Sequence, residues 1–293
     1  MYSEIAANKR KTIFLILGFF FLIAAVAAGA AWYFGDYFIT IYALVFALGY
    51  IAWSYFGSDK AALAINNAQE IQKSDNPRLW RTVENLAITN GLPMPKVYIM
   101  DDPALNAFAT GRDPRHASVA VTTGLLNTMD DSELQGVMAH EMGHIQNYDI
   151  RVAIVVFGLV AVVSIISDMI LRGLFWGSFN NDNRNSSPIM YIVLIVALII
   201  APIVATIIQL SISRKREYLA DATGALTTRY PEGLASALEK IEHSSSAMQK
   251  QSTSTAHLFF ANPLKGKNIA GLFSTHPPIE DRIARLREMG TKA

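Results

Sequence analysis

Residues 130–146 read Asp-Asp-Ser-Glu-Leu-Gln-Gly-Val-Met-Ala-His-Glu-Met-Gly-His-Ile-Gln. Asp130 followed three residues later by Glu133 forms the pattern of a capping box, in which two helix-terminal N–H groups are satisfied reciprocally. Leu134, Val137 and Met138 then recur at the three- and four-residue spacing of one helix face. The sequence therefore predicts a helix that starts at Asp130 and continues through both histidines.

This helix contains the pattern His-Glu-x-x-His. His140 and His144 are four residues apart, so their imidazoles project from one helix face and can bind a single Zn²⁺. Glu141 lies beside the first histidine and can reach a metal-bound water as a general base. The alternative is a structural histidine pair that is buried or caps the helix, and the pattern by itself leaves this open.

A catalytic zinc ion usually takes three protein ligands and a water molecule. The chain contains no cysteine, so any metal must be held by His, Asp or Glu, and the best candidate for the third ligand is Glu217. Asp221 lies one turn further on the same face and can accept a hydrogen bond from the free ring nitrogen of His140. Asp149 is expected either to play a similar role or to make a simple contact. Without the histidine pair, Glu217 would be typical of a solvated carboxylate among basic neighbours.

Short strands are expected before this helix, over residues 96–100, 106–111 and 118–122. Residues 61–90 have helical spacing, and two prolines end the pattern. The apolar positions of this helical stretch are Leu79, Val83, Leu86 and Ala87. The sequence predicts an α+β fold that is mostly α, with a small sheet.

The composition points to a membrane. Of the 293 residues, 52% are hydrophobic and only 17% are charged, whereas a soluble domain typically carries about 25% charged residues. This excludes a disordered chain and argues against an ordinary soluble enzyme. Lys and Arg number 25 against 24 Asp and Glu, a net charge of +1, so no nucleic-acid partner is expected.

Four apolar stretches hold the excess, at Thr12–Phe34, Tyr37–Phe56, Val152–Leu171 and Ile189–Leu210. Each is about 20 residues or longer, the length that crosses a bilayer as a helix. A very apolar soluble core is the alternative, but soluble helices rarely run so far without a charged face. A cleaved signal peptide is disfavoured for the first stretch, because its apolar run is too long and a second span follows directly.

Basic residues flank these spans unequally, and the positive-inside rule places both termini and residues 57–151 in the cytoplasm. The predicted organisation is a transmembrane hairpin over 1–56, a first part of a cytoplasmic domain over 57–151, a second hairpin over 152–210 and a second part of the domain over 211–293. A helix that ran unbroken from His144 into the third span would hold this histidine about 12 Å from the hydrocarbon.

The histidine motif followed by a distant Glu-x-x-x-Asp at 217–221 resembles the M48 family of zinc metallopeptidases. The likeness runs nearly end to end, through residues 8–11, 102–109, 147–150, 213–217 and 275–278. It implies a polytopic membrane protein with a zincin-like (gluzincin) protease domain. It also implies one Zn²⁺ per chain, held by His140, His144 and Glu217, with Glu141 as a catalytic residue.

The resemblance implies further roles that spacing does not show. Asn106, Ala107, Phe108 and Ala109 would form an edge strand to which the substrate backbone adds. His276 would steady the tetrahedral intermediate, and Arg282 would support the site. The other histidines, His116, His243 and His257, are expected at the surface rather than as ligands.

The expected activity is zinc-dependent endopeptidase cleavage of misfolded or damaged membrane proteins, as part of quality control and the stress response. The expected location is the plasma membrane, with the active site cytoplasmic. The expected partners are membrane-protein or unfolded polypeptide substrates and the lipid bilayer, and a homo-oligomer is compatible with the sequence. One alternative is site-specific processing, as in prenylated-peptide or pheromone maturation. Another is a transporter or membrane scaffold with a structural metal.

Overall fold

The computed structural model describes residues 2–161, 214–244, 248–249, 255–261 and 277–291. The elements that precede the helix with His140 and His144 are α1 (Tyr2–Phe34), α2 (Phe38–Ile65), β1 (Gln69–Glu70), α3 (Pro77–Thr89), β2 (Lys96–Met100), β3 (Ala107–Gly111), β4 (Ala117–Thr122) and α4 (Thr123–Thr128). The helix with both histidines is α5 (Asp131–Gln146). It is followed by α6 (149–161), α7 (Arg214–Thr228), α8 (Pro231–His243) and α9 (Ile279–Thr291). Single turns of 3₁₀ helix occupy Pro114–His116 and Ala256–Leu258.

The four strands form one sheet in the order β1-β2-β4-β3. Strands β2 and β4 are parallel, with Val97 opposite Val119, and β3 runs antiparallel to β4, with Ala109 opposite Val119. The three predicted strands are confirmed to within one residue at each end. Within the described part of the chain, β3 is an edge strand of this sheet, so its outer backbone groups face away from β4.

The helical stretch predicted over residues 61–90 is wrong in its middle. Helix α2 ends at Ile65, and Asn67 then adopts a left-handed backbone with φ of 51°, which a helix cannot continue through. The two-residue strand β1 follows. Helix α3 starts afresh at Pro77, where the side chain of Asn76 accepts the N–H of Leu79 at 2.9 Å as an N-cap.

Helix α5 begins with the expected capping box. Asp130 accepts the backbone N–H of Glu133 at 2.9 Å, and Glu133 accepts that of Asp130 at 2.8 Å. The Glu133 carboxylate also accepts hydrogen bonds from Ser236 and Lys240, both at 2.6 Å. Burial works to raise the pKa of Glu133, but the hydrogen bonds from Lys240 and Ser236 lower it below its usual value. The cap therefore also fixes α5 to α8.

The main core surrounds α5. It is formed by α3, the sheet, α5 and α8, with a contribution from α9. The four apolar positions noted for α3 are all buried, as are those of α5. A second apolar cluster joins the end of α2 to β3 and α6 through Phe108 and Phe157. The helix with the histidines is thus the central element of the fold, and its backbone position is held from several sides.

Among the described residues, two helices are long and apolar enough to cross a membrane, over Glu4–Gly29 in α1 and Thr40–Ile65 in α2. Large apolar side chains on them are exposed, among them Phe14 at 73% and Tyr42 at 71%. The predicted third span lies within the described residues only up to residue 161, as part of α6. The remainder of that span and all of the fourth lie outside them.

The unbroken helix expected from His144 toward the third span is wrong. Helix α5 ends at Gln146, and Tyr148 has a positive φ of 61°. Because this conformation interrupts the helical hydrogen bonds, α6 starts anew at residue 149. The turn at residues 147–148 places Asp149 Oδ2 3.0 Å from His144 Nδ1.

Gly136 of α5 lies where the start of α8 crosses closely, and a Cβ built there would be 2.7 Å from the backbone nitrogen of Leu234. We expect Gly136→Ala to lower the free energy of unfolding by about 1–3 kcal/mol, because a backbone atom cannot rotate away. Gly290→Ala is the control, since a Cβ there meets nothing within 4 Å. Thermal unfolding in detergent measures both, and equal midpoints for the two variants would contradict the prediction.

Candidate metal centre

Helices α5 and α7 bring the predicted metal ligands together. His140 Nε2 lies 3.1 Å from His144 Nε2 and 3.7 Å from Glu217 Oε2. The distance from His144 Nε2 to Glu217 Oε1 is 3.6 Å. Within the described residues, these three side chains form a group that could hold a metal ion. Glu217 is 7% exposed, so the view of it as a solvated carboxylate does not fit the structure.

The donor set fits a divalent cation such as Zn²⁺. In a tetrahedral site with bonds of about 2.0–2.2 Å, neighbouring ligand atoms are roughly 3.3–3.6 Å apart. The separation of the two Nε2 atoms, and that of each Nε2 from its nearer Glu217 oxygen, is close to this range. Each histidine has a carboxylate on its Nδ1, and because carboxylates only accept hydrogen bonds, both Nδ1 atoms carry the proton. The two Nε2 atoms therefore face each other and Glu217, as ligands of one cation would.

His140 is fixed by a buried ion pair. Its Nδ1–H donates to Asp221 Oδ1 at 2.9 Å, the partner expected from the sequence. Arg282 in turn binds both oxygens of Asp221, from Nη2 at 2.7 Å and from Nε at 2.9 Å. Burial works to raise the pKa of Asp221, but the charge and hydrogen bonds of Arg282 hold it far below its usual range. Burial of the ring lowers the pKa of His140 to about 4.

His144 has a different carboxylate partner. Its Nδ1–H donates to Asp149 Oδ2 at 3.0 Å. Of the two roles expected for Asp149, accepting a hydrogen bond from a motif histidine or making a simple contact, the structure shows the first. Burial works to lower the pKa of His144, but the hydrogen bond to Asp149 and the charge of Glu217 raise it to about 9. The surroundings of this ring thus favour a positive charge, which a bound cation would supply.

Glu141 lies beside the three ligands and is 2% exposed. Burial raises the pKa of its carboxyl group to about 7, although the charge of His144 lowers it, and the charge of Glu217 raises it further. The backbone N–H of Ala109 on β3 also lowers the pKa of this carboxyl group. A carboxyl group with a pKa near neutrality can both accept and return a proton, as general acid–base catalysis requires.

A cavity of about 50 Å³ adjoins these side chains and is closed on one side by residues 257–260. The ring of Phe260 contacts that of His140 edge-on, with centroids 4.9 Å apart. His257, expected at the surface, is buried at 9% exposure, and its Nε2 is 3.1 Å from the carbonyl of Ala153. No local pattern in the sequence marks this histidine, because its burial depends on where the segment docks. His116 and His243 are exposed as expected.

The four residues expected to bind substrate lie at the N-terminal end of β3 but face different surroundings. Phe108 is fully buried and packs against Phe259. The amide of Asn106 pairs with the backbone of Ala261, at 2.9 and 3.0 Å. The carbonyl of Ala107 accepts the N–H of Phe260 at 2.8 Å. The outer edge of β3 thus has hydrogen-bonding backbone groups next to Glu141. His276 lies outside the described residues.

The comparisons with known proteins agree with this site. The profile of Peptidase family M48 matches residues 73–290. A Protease HtpX homolog of Tropheryma whipplei (strain Twist) is 55% identical over 294 residues, covering 100% of this chain and 99% of its own. One of Listeria monocytogenes serotype 4a (strain HCC23) is 46% identical over 304 residues, covering 99% of this chain and 100% of its own.

A solved structure shares the fold. The crystal structure of S. mikatae Ste24p matches with a TM-score of 0.53 at 19% identity, covering 98% of this chain and 67% of that chain. The matches and the His-His-Glu site together define a metalloprotease. The chain belongs to peptidase family M48. The resemblance inferred from its motifs is therefore confirmed.

The Asp221–Arg282 pair generates a direct prediction. We expect Arg282→Ala to lower the free energy of unfolding by about 3–5 kcal/mol, because it leaves the Asp221 carboxylate buried without its cation. We also expect zinc affinity to fall about 10–100-fold, since His140 loses its fixed orientation. Arg285→Ala is the control, because that guanidinium is exposed and lies over the ring of Tyr218. Thermal unfolding and chelator competition measure both effects, and a full zinc affinity in Arg282→Ala would contradict the second.

Proposed function

We propose that the protein is a zinc-dependent membrane endopeptidase that cleaves misfolded or damaged membrane proteins at the cytoplasmic face of the bilayer. The observation that carries this proposal is the convergence of three ligand atoms from α5 and α7, with a buried carboxyl group beside them. The names of the relatives, Protease HtpX homolog, support a proteolytic role.

His140, His144 and Glu217 would hold the ion, with Asp221 and Asp149 fixing the two ring orientations. Zn²⁺, when bound, acts as a Lewis acid that makes water a nucleophile at neutral pH and polarises a carbonyl group. Glu141 accepts the proton of the attacking water and returns it to the leaving amine nitrogen. We propose, by resemblance to the family, that His276 donates to the oxyanion as charge develops on it.

The substrate is proposed to add to β3 as a further strand. Such pairing reads the backbone rather than side chains, which suits unfolded clients of varied sequence. The carbonyl of Ala107 is engaged by Phe260 in this structure, and the adjoining cavity of about 50 Å³ is too small for a peptide. Residues 257–260 must therefore move away from β3 before an extended chain can lie along the whole edge.

The membrane placement is proposed from the apolar helices. The exposed apolar surfaces of α1 and α2 would contact lipid, and the basic residues near their ends favour a cytoplasmic site. The third and fourth spans would complete the anchor. Because the end of α2 packs against β3 and α6 starts shortly after α5, the site lies close to the ends of α2 and α6 that lead into the proposed hairpins. Substrates near the bilayer surface are then the ones within reach.

Glu141→Gln tests the assignment of the base. The amide keeps the size of the side chain but cannot accept the proton, so we expect zinc binding to persist while peptide cleavage falls by about 10³-fold or more. His144→Ala is the matched comparison, because it should lose the metal as well as the activity. Metal analysis and a cleavage assay on purified protein in detergent measure both. Turnover at the wild-type rate in Glu141→Gln would refute the role of this residue.

Reconstituted enzyme in liposomes tests the substrate class. We expect one unfolded polypeptide to be cleaved several-fold faster when it carries a membrane anchor than when it is soluble, because anchoring confines it to the surface near the site. A panel of unrelated anchored polypeptides should all be cleaved. Cleavage of a single sequence motif at one position would instead favour a site-specific processing protease, and equal rates for anchored and soluble forms would contradict the membrane preference.

A further inference from the structure

The first helix of the chain reaches the metal centre from the far end of the sequence. Asn8 of α1 is 4% exposed, although its neighbours Lys9 and Arg10 are both exposed. Its Nδ2 donates to the carbonyl of Asn147 at 2.9 Å and to Asp149 Oδ1 at 2.7 Å. These contacts join residues that lie 139 and 141 positions apart in the chain.

Asp149 connects this amide to a proposed zinc ligand. Its Oδ2 accepts the Nδ1–H of His144, whereas its Oδ1 faces Asn8 and is also 3.4 Å from Arg216 Nη1. The carboxylate therefore has one oxygen for the histidine and the other for the residues that hold the carboxylate in place. Hydrogen-bonded partners of this kind fix the ring orientation of metal-binding histidines.

The same part of α1 also contacts the turn that carries Asp149. The ammonium group of Lys9 lies 4.7 Å from the ring centroid of Tyr148. Tyr148 is the residue with positive φ in the turn between α5 and α6. Asn8 binds the carbonyl of Asn147, immediately before it. Two contacts therefore hold the turn between α5 and α6 against α1, and the position of this turn decides where the Asp149 carboxylate lies.

We propose that Asn8 is a positioning residue for the metal centre, acting through Asp149 on His144, so that the first apolar helix helps to complete the zinc site. The amide is suited to this role because its two N–H groups satisfy a backbone carbonyl and a carboxylate at once. A short side chain without such donors would remove the hydrogen bond from Asn8 to the buried carboxylate of Asp149. The inference rests on the zinc site of the proposed function.

The test is the zinc affinity of the full chain in detergent, measured by chelator competition. We expect Asn8→Ala to weaken zinc binding about tenfold, at the lower end of the range for residues that orient a ligand. Asn8→Asp should weaken it further, because it keeps the shape but puts a second carboxylate against Asp149. Thr12→Ala is the matched control: Thr12 is also buried, one turn further along α1, and within the described residues its hydroxyl donates to the carbonyl of Asn8.

A double-mutant cycle separates positioning from general packing. If Asn8 acts through Asp149, Asn8→Ala should cause little further loss of zinc affinity in a chain that already carries Asp149→Ala. Fully additive losses, or an unchanged affinity in both Asn8 variants, would overturn the inference. A loss as large in Thr12→Ala would also overturn it. Should Asn8→Ala not fold, the isosteric Asn8→Asp variant still decides the matter.

The outcomes distinguish this inference from the proposed function. A wild-type chain that binds no zinc would contradict the proposed metalloprotease chemistry itself. A wild-type chain that binds zinc tightly, together with Asn8 variants that bind it equally well, would leave the protease in place and remove only the role of α1. The d–d spectrum of the Co²⁺-substituted protein gives a second readout, because a tilted His144 ring would change it in Asn8→Ala but not in Thr12→Ala.

Discussion

The close approach of α5 and α7 is the constraint on which the metal centre depends. A Cβ at Gly224 would lie 3.1 Å from the backbone nitrogen of His140, and one at Gly143 would lie 3.4 Å from Ala220 Cα. The two backbones can therefore come together with almost nothing between them. Because α5 carries both histidines and α7 carries Glu217, this helix–helix distance sets the separation of the ligand atoms, and larger residues at these crossings would push the carboxylate away.

Charge balance is the second constraint. Four carboxyl groups, those of Glu141, Asp149, Glu217 and Asp221, are buried around two imidazoles. Burying ionised groups is costly unless each is paired and hydrogen-bonded. Arg282, itself 1% exposed, forms this ion pair with Asp221. Arg216 Nη1 lies 3.4 Å from Asp149 Oδ1, so a second of these carboxylates also has a cation beside it. The Glu217 carboxylate faces the Nε2 atoms of both histidines, as a ligand of a shared cation would.

Local features of the sequence were enough to predict much of this fold. The capping box at Asp130, the i and i+4 histidines and the short β-branched runs each act within a few residues, so their outcome is fixed by backbone hydrogen bonding and side-chain direction. The turns were missed where they depend on single left-handed residues, Asn67 and Tyr148, because residues other than glycine adopt this conformation too rarely for their type to predict it. His257 was placed wrongly because burial of a histidine depends on which segment packs over it.

The spacing of His140, Glu141 and His144 within one helix predicted a metal site, because a helix fixes where residues four apart must point. It could not settle which remote groups would meet them. Glu217, Asp221 and Arg282 arrive through helix packing, and the turn after α5 decides that Asp149 contacts His144. Contacts of this kind depend on how distant segments pack together, and a short sequence pattern does not predict that packing.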